Sequence, residues 1–291
     1  QNLNVLKQSY PRDFSPANNL AVIVSRLGRY AQAVDEAQEA RRRNPAHPFP
    51  YSNLAYAYRG LNRYDEAVQV AEEAVTLGIA TGPTRRLLYQ LARLQGDTTA
   101  SERYLEQARD TPREFDLMGA RAQALAHDGR LGAARELYAR TMEMARLRNL
   151  SEVASGYGAE RALTEALFGD VDAARALAEA VLADGASSVV RLRMAVVLAL
   201  TGQPDAAETI VGEEAARRPR ATLLQGVYVP VARAAIALGR GNPDGAIENL
   251  RAAAPYQLGA VAALVPIYLR AEAYRAQGDG EAAAVEYQMI L

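Results

Sequence analysis

Apolar residues recur every three to four positions along most of the chain, which is the spacing of one face of an α-helix. Leu54, Ala55 and Tyr58 form one such set, and Ala67 and Ala71 belong to the next. No stretch of useful length alternates apolar and polar residues as a half-exposed β-strand would. The pattern predicts an all-α fold made of short amphipathic helices.

The helical pattern repeats with a period close to 34 residues. Shifting the sequence by that length places Asn19 on Asn53 and Tyr30 on Tyr64. A period of this length is typical of a helix-turn-helix repeat. Because each hairpin in such an array contacts only its neighbours, we expect a single array over residues 1–291 rather than the two domains that length alone suggests.

A glycine or asparagine marks the turn inside each predicted hairpin. Helices often end on a left-handed residue, where glycine removes the steric cost of a side chain. The predicted turn residues are Gly28, Asn62, Gly96, Gly129, Gly169, Gly202, Gly241 and Gly278. The wider spacing of the later turns predicts longer helices or loops around residues 141–155, 217–228 and 254–264.

The turns divide the chain into about eight hairpins that follow a leading helix. Residues 1–11 match the second helix of a truncated repeat, closed by Pro11. The predicted repeats are residues 14–47, 48–81, 82–114, 115–150, 151–187, 188–221, 222–259 and 260–291. The chain begins at Gln1 rather than methionine and stops at Leu291 inside a helical pattern, so we expect a fragment of a longer protein, cut at both ends.

Composition excludes several classes of partner and chemistry. The 33 basic and 34 acidic residues give a net charge of -1, without the electrostatic footprint of a nucleic-acid-binding protein. The absence of cysteine excludes disulfides, thiolate metal sites and cysteine nucleophiles. No apolar run approaches the ~20 residues of a membrane helix, so we expect no direct membrane contact in this segment.

Candidate catalytic and metal-binding groups are sparse. His47 and His127 stand without the nearby histidines or carboxylates that a metal site needs. Adjacent carboxylates such as Glu72 and Glu73 project in different directions from a helix rather than converging as an acid and a base. We therefore predict no catalytic residue, no metal and no cofactor, and a chain that is not an enzyme.

Residues 51–58 (YSNLAYAY), followed by 64–67 (YDEA), Ala71 and Ala74, resemble the tetratricopeptide repeat (TPR) at most of its characteristic positions. Residues 14–45 form a second good copy. The resemblance implies a right-handed superhelical solenoid of antiparallel helix hairpins. It also implies a non-catalytic module for protein–protein interaction, used as a scaffold or a sensor.

Longer stretches resemble the C-terminal TPR region of bacterial, acidobacterial-type, eukaryotic-like serine/threonine protein kinases. They are residues 10–30 (YPRDFSPANNLAVIVSRLGRY), 87–97 (LLYQLARLQGD), 241–259 (GNPDGAIENLRAAAPYQLG) and 268–291 (YLRAEAYRAQGDGEAAAVEYQMIL). No kinase motif occurs in the chain, so the resemblance implies a parent kinase with a regulatory tail rather than kinase activity here. The alternatives are the TPR tail of a winged-helix transcriptional regulator and, less favoured by the charge, a helical-repeat RNA-binding protein. A soluble parent would place the array in the bacterial cytoplasm, and a preceding transmembrane helix would place it outside.

The resemblance implies where a partner binds. In TPR proteins the first helix of each hairpin lines the concave face, and positions two, five, six, nine and twelve of the repeat point into it. Transferred by register, the predicted peptide- or protein-binding residues are Asn18, Asn19, Asn53, Tyr56, Arg59, Arg86, Gln90 and Arg93. Amides hydrogen-bond a peptide backbone, tyrosine adds contact area at little entropic cost, and arginine pairs with carboxylates or phosphates. The partner is left open between an unidentified protein or peptide, the parent kinase domain and a second copy of the chain.

Two further expectations concern these positions. Chaperone-binding TPR proteins clamp a C-terminal carboxylate, but Asn18, Val22 and Pro83 stand here where a lysine, an asparagine and another lysine are needed, so we expect no such clamp. Asn19 and Asn53 have an alternative role in bridging neighbouring helices. In the later repeats the same positions are apolar, which predicts either internal packing or uptake of an apolar helix; they are Ala159, Leu163, Val189, Leu192, Val196, Val231 and Ala235.

Overall fold

The computed structural model of the chain describes residues 2–111 and 113–290, and in these ranges it contains seventeen α-helices and no β-strand. The all-α prediction is therefore confirmed. Gln1 and Leu291, where we expect the chain to be cut, lie outside the described residues. None of the described helices is both long enough and apolar enough to cross a membrane.

The chain divides into two compact units, Gln1–Leu137 and Tyr138–Leu291. Unit 1 contains α1 (Asn2–Ser9), α2 (Ser15–Arg26), α3 (Tyr30–Arg43), α4 (Pro48–Gly60), α5 (Tyr64–Thr76), α6 (Gly82–Leu94), α7 (Thr98–Ala108) and α8 (Glu114–His127). The division falls within α9 (Leu131–Leu147). Unit 2 contains α10 (Ser151–Leu167), α11 (Val171–Ala183), α12 (Ser188–Leu200), α13 (Pro204–Arg217), α14 (Val229–Gly239), α15 (Pro243–Leu250), α16 (Val265–Gln277) and α17 (Gly280–Gln288). The single array over residues 1–291 stays a prediction.

Consecutive helices pack as hairpins within each unit. In unit 1, α2 packs on α3, α4 on α5 and α6 on α7, and the first helices α2, α4, α6 and α8 also contact one another in succession. Ala67, Ala71 and Ala74 of α5 are fully buried, as is Ala55 of α4. Because alanine has a small side chain, these positions let neighbouring helices approach closely.

The turns follow the predicted register. All eight predicted turn residues have positive φ, for example 76° at Gly28, 73° at Gly96 and 58° at Asn62. Asparagine tolerates this left-handed conformation better than other residues with a side chain. The eight hairpin turns are therefore confirmed at the level of individual residues.

Capping residues directly after these turns start several second helices. The carboxylate of Asp97 accepts a hydrogen bond of 2.8 Å from the backbone N–H of Ala100, and Asp279 accepts one of 3.0 Å from Ala282. Asn242 caps α15 in the same way through Gly245, at 2.9 Å. Each cap satisfies one of the backbone donors that a helix leaves unpaired at its N-terminus.

Unit 2 is less regular, in the places where the spacing of the turns predicts longer segments. Helices α9 and α10 each have 17 residues. A π-helical turn, Leu224–Tyr228, precedes α14, and a 3-10 turn, Arg251–Tyr256, follows α15. The chain then passes through left-handed backbone at Ala263 and Leu264 before α16 begins.

Two glycines of α10 allow a matched test of the packing. A Cβ at Gly156 would meet nothing within 4 Å, whereas a Cβ at Gly158 would lie 2.6 Å from Cγ2 of Val181 and 3.3 Å from Cε of Met142. We expect Gly156→Ala to stabilise unit 2 by about 0.5–1 kcal/mol because alanine is the better helix former. We expect Gly158→Ala to destabilise it by about 1–3 kcal/mol through overpacking. Urea unfolding of both variants, followed by circular dichroism, checks the opposite signs.

Candidate functional site

The predicted binding residues all lie on α2, α4 and α6, three of the four first helices of unit 1. We call the surface formed by α2, α4 and α6 the first-helix face. Asn18 and Asn19 lie on α2, Asn53, Tyr56 and Arg59 on α4, and Arg86, Gln90 and Arg93 on α6. Most of these side chains join one helix to the next, so the face carries a row of inter-helix polar contacts.

The first contact of this row joins α2 to α4. Nδ2 of Asn53 donates a hydrogen bond of 2.8 Å to Oδ1 of Asn18. Asn18 is buried and Asn53 is half-buried, while Asn19 is exposed. The bridging role considered for Asn19 and Asn53 is therefore seen for Asn53, with Asn18 rather than Asn19 as its partner.

The second set of contacts joins α4 to α6. The hydroxyl of Tyr56 donates to the backbone carbonyl of Pro83 at 3.3 Å, and Nη1 of Arg59 donates to Oε1 of Gln90 at 3.0 Å. The Arg59 guanidinium also stacks over the Tyr56 ring, 5.1 Å from its centre. Beneath them, Oγ of Ser52 and Oγ1 of Thr84 form a buried hydrogen bond of 2.7 Å.

The row continues to α8, where the sequence reasoning did not place site residues. Nη2 of Arg86 donates to Oε1 of Gln123 at 3.3 Å, and Nη2 of Arg93 pairs with Oδ2 of Asp128 at 2.6 Å. Gln123 precedes its turn glycine by six residues, as Gln90 does. That shared position is the signal that would have included Gln123.

The charges of the face act on one phenol. Burial raises the pKa of Tyr56, and the positive charges of Arg86 and Arg59 oppose that rise. Asp116 of α8 adds to it. The two guanidinium groups and this phenol thus form one local electrostatic environment, although they come from two helices.

The arrangement offers recognition groups rather than reactive ones. Guanidinium, amide and phenol groups can hydrogen-bond and stack on a ligand. Across residues 2–111 and 113–290, no group of three or more histidines and carboxylates is placed to hold a metal ion.

The apolar positions predicted for the later repeats are used inside unit 2. Leu192, Val196, Val231 and Ala235 are buried, as is Ala159. Leu163 and Val189 are half-buried. Internal packing, one of the two predicted uses, is therefore seen for the five buried residues, and uptake of a partner helix stays a prediction.

Family models decide the class of repeat. Models described as tetratricopeptide repeat match residues 18–82, 88–145 and 188–213, about half of the chain. The chain belongs to the tetratricopeptide repeat family. The polar row on α2, α4 and α6 is therefore part of a TPR array. No curated protein matches the sequence.

Solved structures share the TPR fold at low identity. The Rap protein complexed with Competence and Sporulation Factor has a TM-score of 0.56 and 15% identity, covering 95% of this chain and 96% of that one. The TPR protein YrrB, described as having an unusual peptide-binding site, has a TM-score of 0.38 and 16% identity, covering 77% and 96%. A chain of the APC/C hetero-tetramer Cut9-Hcn1 has a TM-score of 0.48 and 14% identity, covering 76% of this chain and only 43% of that one. At these identities the likeness shows the fold alone.

Proposed function

We propose that unit 1 binds an extended peptide or a protein segment on its first-helix face, without catalysis. The observation that carries the proposal is the row of half-exposed polar and aromatic side chains on consecutive first helices, above all Asn53, Tyr56, Arg59 and Gln90. A face that served only for packing would bury apolar side chains, as the equivalent positions of unit 2 do.

The dimensions of the face suit a short segment. Packed helices lie about 8–10 Å apart, so α2, α4 and α6 together span about 20 Å. An extended chain advances about 3.3 Å per residue, which matches a stretch of about six residues. The Rap protein, which shares the fold, was solved with a bound factor. That complex supports the proposal that a TPR array of this kind takes a ligand.

Selection from a random peptide library against the intact chain tests this function. We expect enriched peptides whose binding, measured by fluorescence anisotropy, weakens at least tenfold, or about 1.4 kcal/mol, in the double variant Asn53→Ala with Arg86→Ala. Arg103→Ala, on the second helix α7, is the control and should bind as the unchanged chain does.

Two results would contradict the proposal. Failure to enrich any peptide argues against peptide binding altogether. Enriched peptides with the same affinity for the double variant argue against the first-helix face. Because Asn53 also bridges α2 and α4, the melting curve of the double variant must first show that unit 1 remains folded.

We further propose that the array is the regulatory tail of a bacterial serine/threonine protein kinase. The support is the resemblance of residues 10–30, 87–97, 241–259 and 268–291 to that class. Binding on the first-helix face would then bring a partner to the catalytic domain of the parent. The coding sequence of the parent gene tests this: kinase catalytic motifs support it, and a winged-helix domain in their place overturns it.

A further inference from the structure

Arginine supplies almost all of the positive charge of this chain. Of its 33 basic residues, Lys7 is the one lysine, and the others are arginines. A guanidinium group stays protonated, whereas a lysine ammonium can lose its proton and become a nucleophilic amine. Lys7 therefore carries the one side-chain amine of the chain that can be acylated.

The amine of Lys7 joins α1 to α3. Its Nζ lies 2.7 Å from Oε2 of Glu36 and 2.6 Å from Oε2 of Glu39. Burial lowers the pKa of Lys7, but the hydrogen bonds to Glu36 and Glu39 and the negative charges of both outweigh burial, so the pKa is raised. The two carboxylates thus keep the docked amine protonated, and a protonated amine has no lone pair with which to react.

The two carboxylates depend on Lys7 to different degrees. Glu39 also pairs with Nη2 of Arg43 at 2.5 Å, so it keeps a cation when Lys7 loses its charge. The side chain of Glu36 is only 13% exposed, and among the residues that the structure describes its ion pair is with Lys7. Loss of the charge on Lys7 would leave Glu36 as a mostly buried carboxylate without a cation, which is unfavourable for the docked state of α1.

The apolar packing of α1 is weak. None of its residues is buried. An open cleft of about 450 Å³ lies between α1 and α2, lined by Asn2, Leu3, Asn4, Leu20 and Ile23. Isolated helices shorter than about 12 residues are marginal in water, and α1 has eight residues. Helix α1 therefore depends on the ion pairs of Lys7 to stay docked and helical.

We infer that Lys7 is a modification site and that acylation of its amine by an acyl phosphate releases α1 from α3. When α1 is undocked, the neutral amine attacks the carbonyl carbon of the acyl phosphate. The N–C bond forms, the C–O bond to phosphate breaks, phosphate leaves with the electron pair, and the amine loses a proton to solvent. The amide product has no charge and a single N–H, so it cannot pair with both Glu36 and Glu39. Acylation thus holds α1 in the undocked state.

Hydrogen exchange of the intact chain, before and after treatment with acetyl phosphate, tests this inference. Cleavage at arginines yields the fragment that ends at Arg12, and tandem mass spectrometry of this fragment separates acetylation of Lys7 from that of the N-terminal amine. We expect the amides of residues 2–9 to exchange at least tenfold faster once Lys7 is acetylated. The amides of α2 and α3 should keep their exchange rates, because only α1 opens.

Three variants separate the charge of Lys7 from other effects of the reagent. Lys7→Gln imitates the acetylated side chain and should show the faster exchange without acetyl phosphate. Lys7→Arg keeps the charge and has no acylable amine, so it should exchange slowly both before and after treatment; it also controls for acetylation of the N-terminal amine. Arg12→Gln removes an exposed charge just beyond α1 and should behave as the unchanged chain does.

Three results would overturn the inference. Slow exchange of residues 2–9 in the acetylated chain or in Lys7→Gln would mean that apolar contacts suffice to hold α1. Exchange in Lys7→Arg as fast as in Lys7→Gln would mean that the positive charge is not what docks α1. Failure of acetyl phosphate to modify Lys7 in the chain, while it acetylates a synthetic peptide of residues 1–12, would mean that the docked amine is never released. None of these measurements involves a bound peptide, so they are independent of the function proposed above.

Discussion

Replacing Arg191 with methionine is expected to lower the unfolding free energy of unit 2 by about 3 kcal/mol at neutral pH, because it leaves a buried carboxylate short of its main partner. Nε of Arg191 lies 2.7 Å from Oε1 of Glu214, which is fully buried on α13. Nη2 of Arg191 also pairs with Glu213 at 2.9 Å. In the variant, Glu214 keeps the more exposed Arg217, at 2.9 Å, as a charged partner, together with the hydrogen bond from Ser188.

The loss of unfolding free energy caused by Arg191→Met should become smaller as the pH falls. Burial raises the pKa of Glu214, but hydrogen bonds from Ser188 and Arg191 and the charges of Arg217 and Arg191 outweigh it, so the pKa is lowered. In the unchanged chain this carboxylate adds stability above its unfolded pKa, and the contribution is lost as the pH falls through the folded pKa. In the variant, the hydrogen bond and the charge of Arg191 no longer oppose the effect of burial, so we expect Glu214 to have a higher pKa than in the unchanged chain. The difference between the two proteins should therefore shrink in acid, first because Glu214 of the variant becomes protonated and, at still lower pH, because Glu214 of the unchanged chain does so too.

Urea unfolding at neutral pH and at about pH 4 measures this difference. Arg146→Met is the control, because Arg146 pairs with Asp184 at 3.0 Å where both side chains are about half exposed. Such surface pairs contribute about 0–1 kcal/mol. If Arg191→Met costs no more than Arg146→Met, the buried carboxylate does not depend on Arg191.

Leu88→Ala is the second substitution with a large expected effect, a decrease of about 3 kcal/mol in the unfolding free energy of unit 1. Leu88 is 1% exposed and lies in the core of unit 1 with Leu54 and Leu87. Removing its terminal carbons forfeits their burial and leaves a cavity that helices packed from both sides close only in part.

The same helix provides the control. Leu94, at the end of α6, is 61% exposed, so Leu94→Ala makes the same chemical change without opening a cavity and should cost less than about 1 kcal/mol. Because repeat arrays can unfold in steps, the shift of each urea transition is the quantity to compare. Equal shifts for the two variants would contradict the packing of Leu88.

The hairpins of this protein could be predicted because single residues determine them. Gly28 and Gly96 lie where the backbone becomes left-handed, and Ala67 and Ala74 lie where helices are in contact. These residue types therefore recur in the sequence at the spacing of the repeat. The π-helical turn Leu224–Tyr228 has no comparable recurring residue in the sequence. It depends on how neighbouring segments pack, and the sequence indicated only that its region would be longer than a regular repeat.

The helices that carry the candidate residues could be predicted, but the pairing of the side chains could not. The register placed Asn53, Tyr56 and Arg59 on one helix, α4, and the structure has all three there; that they bind a partner stays a prediction. The register could not show that Asn53 hydrogen-bonds to the buried Asn18 while Asn19 remains exposed. Asn18 and Asn19 are adjacent in α2, and which of them faces α4 depends on the direction of each side chain. Nor did the register transfer include Gln123 and Asp128, which contact Arg86 and Arg93.

The row of polar contacts gives the first helices a fixed order. Helix α4 donates to α2 through Asn53 and to α6 through Arg59, so its two edges carry different chemistry. If residues 48–81 were duplicated in tandem, Arg59 of the first copy would meet the tyrosine of the second where it now meets Gln90. We expect such a duplicate to form its hairpin but to pack poorly on the neighbouring hairpin. The hairpins of unit 1 can therefore not exchange places without loss of these contacts.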